Sequence, residues 1–216
     1  MKKNKIKNII KNIWRFPYRF LMSKRLKNHN FSIISANCIG GVLSHDLRQE
    51  FRSPTINLII PQFIEFVERL DYYLAVLPII GPITEKGEPT IYLDDIIVVG
   101  VHYTTGEQLL SDWNRRKQRV NMSDIYVIAT DEFVKTKADY ERFDSLPYKK
   151  VCFVSKERYN SLEKVYKWQI VCPEFKNGHR VGDVLRYKGI FGERIFERRF
   201  NFIKWLNQNE EKENNF

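Results

Sequence analysis

Three short, almost wholly apolar runs constrain this chain more than anything else in it: FSIIS (31–35), DIYVIAT (124–130) and KKVCFVS (149–155). Each is strand-length and rich in β-branched or aromatic side chains, as expected of strands buried on both faces. Helical patterns lie between them. Thr105 starts one, with Leu109, Leu110 and Trp113 facing inward and NRRKQR outward, and DEFVKTKADYERF (131–143) reads as another. Such alternation predicts an α/β domain with a central mixed, mainly parallel sheet and helices on both faces.

The remaining segments fit around that frame. TINLII (55–60) reads as a further β-rich run. Pro61 suits a first helical position, and QFIEFVERLDYYL after it has helical spacing through Phe63, Phe66, Val67, Leu70 and Leu74. Residues 78–90 are loop, and TIYLDDIIVVGVHY (90–103) reads as a hairpin about Asp94-Asp95 or one bent strand. YNSLEKVYKWQI is mixed, and RIFERRFNFIKWLNQ is amphipathic. We expect an interfacial arm over 1–29, one α/β domain over 30–207 and a charged tail over 208–216.

The net charge of +10 belongs to the arm. Residues 1–30 carry ten Lys and Arg and no acid, whereas from 31 onward 26 basic residues meet 26 acidic ones. A neutral body with no known motif argues against a nucleic-acid partner. Within the arm, Ile6, Ile9, Ile10, Ile13 and Trp14 form one helical stripe, with lysines largely around it. Pro17 is expected to end or kink this helix near Phe16. Lys5, Ile9, Ile13, Trp14 and Arg15 are the predicted contacts with an anionic membrane surface. No apolar run is long enough to span a bilayer, and lysines interrupt every candidate signal region. Three cysteines without metal-type spacing favour a reducing cytoplasm, and no metal site is expected. The predicted location is the cytoplasm, at the inner face of the cell membrane.

Loops at the carboxyl ends of strands form the usual crevice of such sheets. NCIGG (37–41) leaves the first strand, and HYTTGE (102–107) leaves the strand at 96–102 in the same way if that strand runs parallel to the first. Cys38 would be a nucleophile, favoured as thiolate by the helix that follows, and His102 its base. Amides of Gly40 and Gly41 would face an oxyanion, and Asp94 or Asp95 would orient the imidazole. Arg115 and Arg119 share a helix face suited to a phosphate or carboxylate. Cys152 and Cys172 carry no visible role, and His45-Asp46 alone is a weak metal signal. No Walker loop, GxGxxG, GxSxG or paired zinc motif is present.

FSIISANCIGG, SPTINLIIPQFIEFVERLDYYL, DDIIVVGVHYTTGEQLLSDWNRRKQRVN and FDSLPYKKVCFVS together resemble a bacterial family of exopolysaccharide biosynthesis proteins built on a domain of unknown function. The likeness covers roughly residues 30–155, more weakly to about 206. It implies an α/β fold and a setting in capsule, exopolysaccharide or lipopolysaccharide synthesis. The family's motif positions map to Asn37, Cys38, Gly40, Gly41, His102, Tyr103, Trp113, Arg115, Arg116 and Arg119, while Ile39 stands where many members carry an aromatic. Read with the resemblance, Asn37, Gly40, Gly41, Tyr103, Trp113, Arg115 and Arg119 are expected to bind substrate. The expected activity is transfer of an acyl group, from a donor such as acetyl-CoA, to a sugar of a lipid-linked or polymeric saccharide. The alternatives are a glycosyltransferase with a metal on Asp94-Asp95, or a non-catalytic assembly module.

Overall fold

The computed structural model describes residues 2–175 and 180–208, with side chains over 13–175 and 182–208. Its elements are α/β, as expected, but they form two sheets. The first is parallel: β1 (Ser32–Ser35), β5 (Ile125–Thr130), β6 (Lys149–Val154) and β7 (Gln169–Val171) lie in the order β1-β5-β6-β7. Pairing runs Ser32 to Ile125, Tyr126 to Lys149 and Cys152 to Gln169. Side chains alternate between two apolar layers. Ile34, Val127, Ala129, Cys152 and Val154 enter one, and Ile33, Tyr126, Ile128, Val151 and Phe153 the other. Burial on both faces is why these strands read as unbroken apolar runs.

One layer is covered by α3 (Phe63–Glu68), α4 (Leu70–Ala75), α5 (Gly106–Lys117) and α6 (Lys137–Ser145). The other is covered by α2 (Ile39–Asp46), α8 (Arg180–Leu185), α9 (Ile195–Arg199) and α10 (Phe202–Leu206), while α7 (Lys156–Asn160) buries no side chain. The second sheet is antiparallel: β2 (Ile79–Ile80), β3 (Thr90–Leu93) and β4 (Ile96–Val99). The hairpin reading of 90–103 is therefore the correct one, and β4 does not lie beside β1. Asp94 makes its turn at φ 59°, a left-handed conformation that Asp tolerates.

Three segments differ from expectation. TINLII is not a strand, because Asn57 sits at φ 62° and breaks the extended backbone; Ile59 alone bridges to Val99. The helix over 62–74 divides at Arg69, whose guanidinium lies 4.2 Å from the centre of the Tyr72 ring. The division lets Phe63, Phe66 and Val67 reach the core alongside Leu70 and Tyr73. Helix α6 begins only at Lys137, set by a capping box between Thr136 and Asp139. The amphipathic end forms two short helices, separated at Phe200 and Asn201.

The arm also differs. Helix α1 (Lys2–Arg25) runs through Pro17 instead of stopping near Phe16. Proline removes one helical donor, but the turns on either side of it are docked on the body, and the helix continues to Arg25. Arg15, 2% exposed, places Nη2 2.5 Å from Asp46 Oδ2 and 2.6 Å from Glu197 Oε1, and also donates to the Gly192 carbonyl. Burial opposes its charge, but bonds to Glu197 and Asp46 outweigh that and hold its pKa above the ordinary value. Arg15 therefore does not face lipid, contrary to expectation. The helix is mounted inside out: Arg15, Tyr18, Arg19 and Met22 turn inward while Ile13, Trp14, Phe16, Phe20 and Leu21 are exposed, Ile13 at 69% and Phe16 at 52%. The side chains of Lys5 and Ile9, and the tail after 208, lie outside the described residues.

Replacing Arg15 by alanine strands two buried carboxylates. Urea unfolding should show a loss of about 3 kcal/mol or more; an unchanged midpoint would contradict this reading.

Candidate active site

Cys38 is the residue before the first turn of α2, at φ −67° and ψ −6°, directly after the carboxyl end of β1. Its Sγ lies 3.7 Å from His102 Nε2, although 64 positions separate the two in the chain. The segment between Ser53 and Ile60 makes this possible. Ser35 donates its amide to Thr55 Oγ1 at 3.1 Å, fixing the end of β1. Ile59 exchanges both backbone hydrogen bonds with Val99 at 2.8 and 2.9 Å, fixing the end of β4. His102 follows three residues later, in a turn closed by the Tyr103 amide on the Gly100 carbonyl. The sulfur is half-buried and the imidazole exposed.

The pair borders a cavity of about 380 Å³ lined by Gly41, Val42, His45, Phe51, Ile56, Asn57 and Leu185 as well. His45 was not among the expected site residues. The signal was in the spacing: positions 38, 41, 42 and 45 fall on one helical face at i, i+3, i+4, i+7, and all four line the cavity. His45 Nδ1 rests 3.2 Å from Asp46 Oδ1.

The glycines divide their roles. Gly40 is where α2 touches β1, and a β-carbon there would lie 2.7 Å from Ser35 Cβ. Its amide is taken by Ser35 Oγ at 3.3 Å, and that of Ile39 by Asn37 Oδ1 at 3.0 Å. Gly40 is thus not an oxyanion donor, and Asn37, 2% exposed, caps the helix rather than meeting substrate. The Gly41 amide has no acceptor among the described residues and lies at the cavity. Of the two glycine amides it is the one left free to meet an oxyanion.

Other expected positions lie elsewhere. Asp94 and Asp95 sit at the far end of the hairpin, where they accept from Tyr72 Oη at 2.6 Å and Tyr73 Oη at 2.8 Å. The four residues of β4, at about 3.3 Å each, separate that turn from His102. They do not orient the imidazole. Trp113 is 1% exposed in the core against Phe66. Arg115 pairs with Asp112, and Arg119 with Glu50 at 3.1 Å, so the two form no clamp. Arg116 between them is buried and structural: it donates to the Ile56 carbonyl at 3.2 Å and to Tyr103 Oη at 2.7 Å. Tyr103 is therefore a brace beside His102, with its hydroxyl also 3.2 Å from Asp112. Cys152 and Cys172 are fully buried.

Burial pushes the Cys38 thiol above its ordinary pKa. The first helical amides are already spent on Asn37 and Ser35, so the helix end does not offset that. The sulfur is a thiol at neutral pH, and the neighbouring imidazole is placed to take its proton as it reacts.

The sequence places this chain in a family defined by a shared domain of unknown function (DUF1919), which matches residues 9–207; the chain belongs to that family. An uncharacterized protein of Haemophilus influenzae is 30% identical over 205 residues, covering 94% of this chain and 97% of that one. Neither description names a polysaccharide.

Cys38 is the accessible thiol among three, so iodoacetamide should label it first. The labelling rate should climb with a midpoint above the free-cysteine value of about 8.5, because the folded pKa is raised. A fully reactive thiolate at pH 7, followed by mass spectrometry, would refute this assignment.

Proposed function

We propose that the protein is a transferase that carries an acyl group on Cys38 and delivers it to a saccharide hydroxyl in surface-polysaccharide synthesis, at the inner face of the cell membrane. The contact of Cys38 Sγ with His102 Nε2 at the edge of a cavity carries this reading. In the first half-reaction His102 takes the thiol proton as sulfur attacks the carbonyl of a thioester donor such as acetyl-CoA. The Gly41 amide meets the oxyanion, the donor thiol leaves with the proton from His102, and Cys38 holds the acyl group. In the second, His102 takes the proton of the acceptor hydroxyl, the alkoxide attacks the Cys38 thioester, and the cysteine thiol is restored. Such base assistance contributes about 10²–10⁴-fold.

The saccharide acceptor rests on the resemblance carried by the motifs at 31–41 and 94–121. The membrane setting rests on α1: its outward face is apolar, its inward face holds Arg15 and Arg19, and residues 1–30 are basic without an acid. Water does not favour that mounting, whereas the interface of an anionic bilayer does. No helix among the described residues is long and apolar enough to cross a membrane.

Incubation with acetyl-CoA should add one acetyl group to the intact protein, removable by hydroxylamine and absent in Cys38→Ala. His102→Gln should slow its formation by about 10²–10⁴-fold. Polysaccharide that remains fully acylated in cells carrying Cys38→Ala would discard the mechanism. Independently, Phe16→Ser with Leu21→Ser should abolish cosedimentation with phosphatidylglycerol vesicles while leaving the unfolding midpoint unchanged. Undiminished cosedimentation would remove α1 from the membrane contact.

A further inference from the structure

A hollow of about 680 Å³ takes no part in that chemistry. It lies on the other flank of α2. Leu43, Asp46 and Leu47 face it, whereas Cys38, Gly41, Val42 and His45 face the smaller cavity. Its opposite walls are α1, α9 and α10. Met22, Leu43, Leu47, Phe202 and Ile203 give it an apolar lining, while its charged groups are mostly cationic.

Those cations are underused. Arg25, Arg198 and Lys204 line the hollow and make no ion pair among the described residues. Arg19 is more telling, because its side chain is only 18% exposed. Its Nε is paired with Asp46 Oδ1 at 3.3 Å but is buried without a hydrogen bond, and its two terminal amino groups, which are not part of that ion pair, make no hydrogen bond among the described residues. The carboxylates nearby do not make up the deficit. Asp46 and Glu197 are already held by Arg15 at 2.5 and 2.6 Å, and Glu193 accepts from the Phe191 amide at 3.1 Å. A largely buried guanidinium fork with free donors is built to receive a planar or tetrahedral oxyanion.

We propose that this hollow binds a phosphate ester, with the phosphate on the fork of Arg19 and the ester's apolar portion against Met22, Leu43, Leu47 and Phe202. Arg25, Arg198 and Lys204 add attraction around the phosphate. The volume decides between a bare ion and an ester. It falls within the range of about 300–1,000 Å³ usual for small-molecule sites, far more than inorganic phosphate fills. Two sources supply this chemistry, a phospholipid headgroup reaching in beside α1 or a soluble phosphorylated metabolite. The proposal stands apart from the acyl-transfer reading, since no residue of the hollow takes part in the Cys38 steps.

Calorimetric titration of the full chain tests it with 1-naphthyl phosphate, monomeric lysophosphatidylglycerol, inorganic phosphate and, as a neutral-headgroup control, lysophosphatidylcholine. At least one of the first two should bind, more weakly at higher salt. The affinity should fall about tenfold in Arg19→Lys, which keeps the charge and loses the fork. A similar fall is expected in the double variant Arg198→Ala, Lys204→Ala, whose exposed positions leave folding intact by circular dichroism. Binding of the lysolipid alone assigns a lipid source, and binding of the naphthyl ester assigns a soluble one. The proposal is overturned if neither binds, if the double variant binds undiminished, or if inorganic phosphate or lysophosphatidylcholine binds as tightly.

Discussion

The candidate site depends on one short stretch of chain that belongs to neither sheet. Cys38 hangs from the parallel sheet and His102 from the antiparallel one, and among the described residues no strand pairing joins the two sheets. The join is made by Thr55, which receives the Ser35 amide, and by Ile59, which bonds Val99 in both directions. Arg116 reinforces it from α5 by gripping the Ile56 carbonyl and the Tyr103 hydroxyl. Each such bond contributes only about 1 kcal/mol net. Their value is geometric, because they act at the two strand ends from which the sulfur and the imidazole depart.

Competing influences on the thiol have a clear winner. A helix start favours negative charge by about 0.3–1 kcal/mol at exposed sites, but only through amides that are free to point at it. Here Asn37 and Ser35 occupy the first two, and the surrounding side chains shield the sulfur from water. Desolvation prevails, so the sulfur rests as a thiol and would need a base in order to react. The same helix divides the two cavities, with sulfur and His45 on one flank and Asp46 on the other.

The parallel sheet was legible because burial on both faces leaves an unmistakable apolar run, and Thr105 was legible as a helix start because its hydroxyl caps Gln108. The failures share a cause: they hang on partners remote in sequence or on a single backbone angle. The alternation in TINLII is real, since Ile56, Leu58 and Ile60 are all buried, yet Asn57 turns the chain out of strand geometry. Periodicity along α1 gave its apolar stripe but not which side meets the body. That choice is made by Arg15 through Asp46 and Glu197, 31 and 182 positions away. Cys38 and His102 were nameable from their loops, whereas Asp94 and Asp95 were misassigned because the hairpin sends its turn and its tail to opposite ends. His45 was overlooked although its spacing from Cys38 pointed to a common face.

The near-contact of α2 with β1 at Gly40 has a consequence for tolerance to change. Any larger residue there must lever the helix off the sheet, carrying the sulfur outward with it and opening the reach to the imidazole. Position 40 is thereby a ruler for Cys38 and His102, setting their separation from outside the cavity they border.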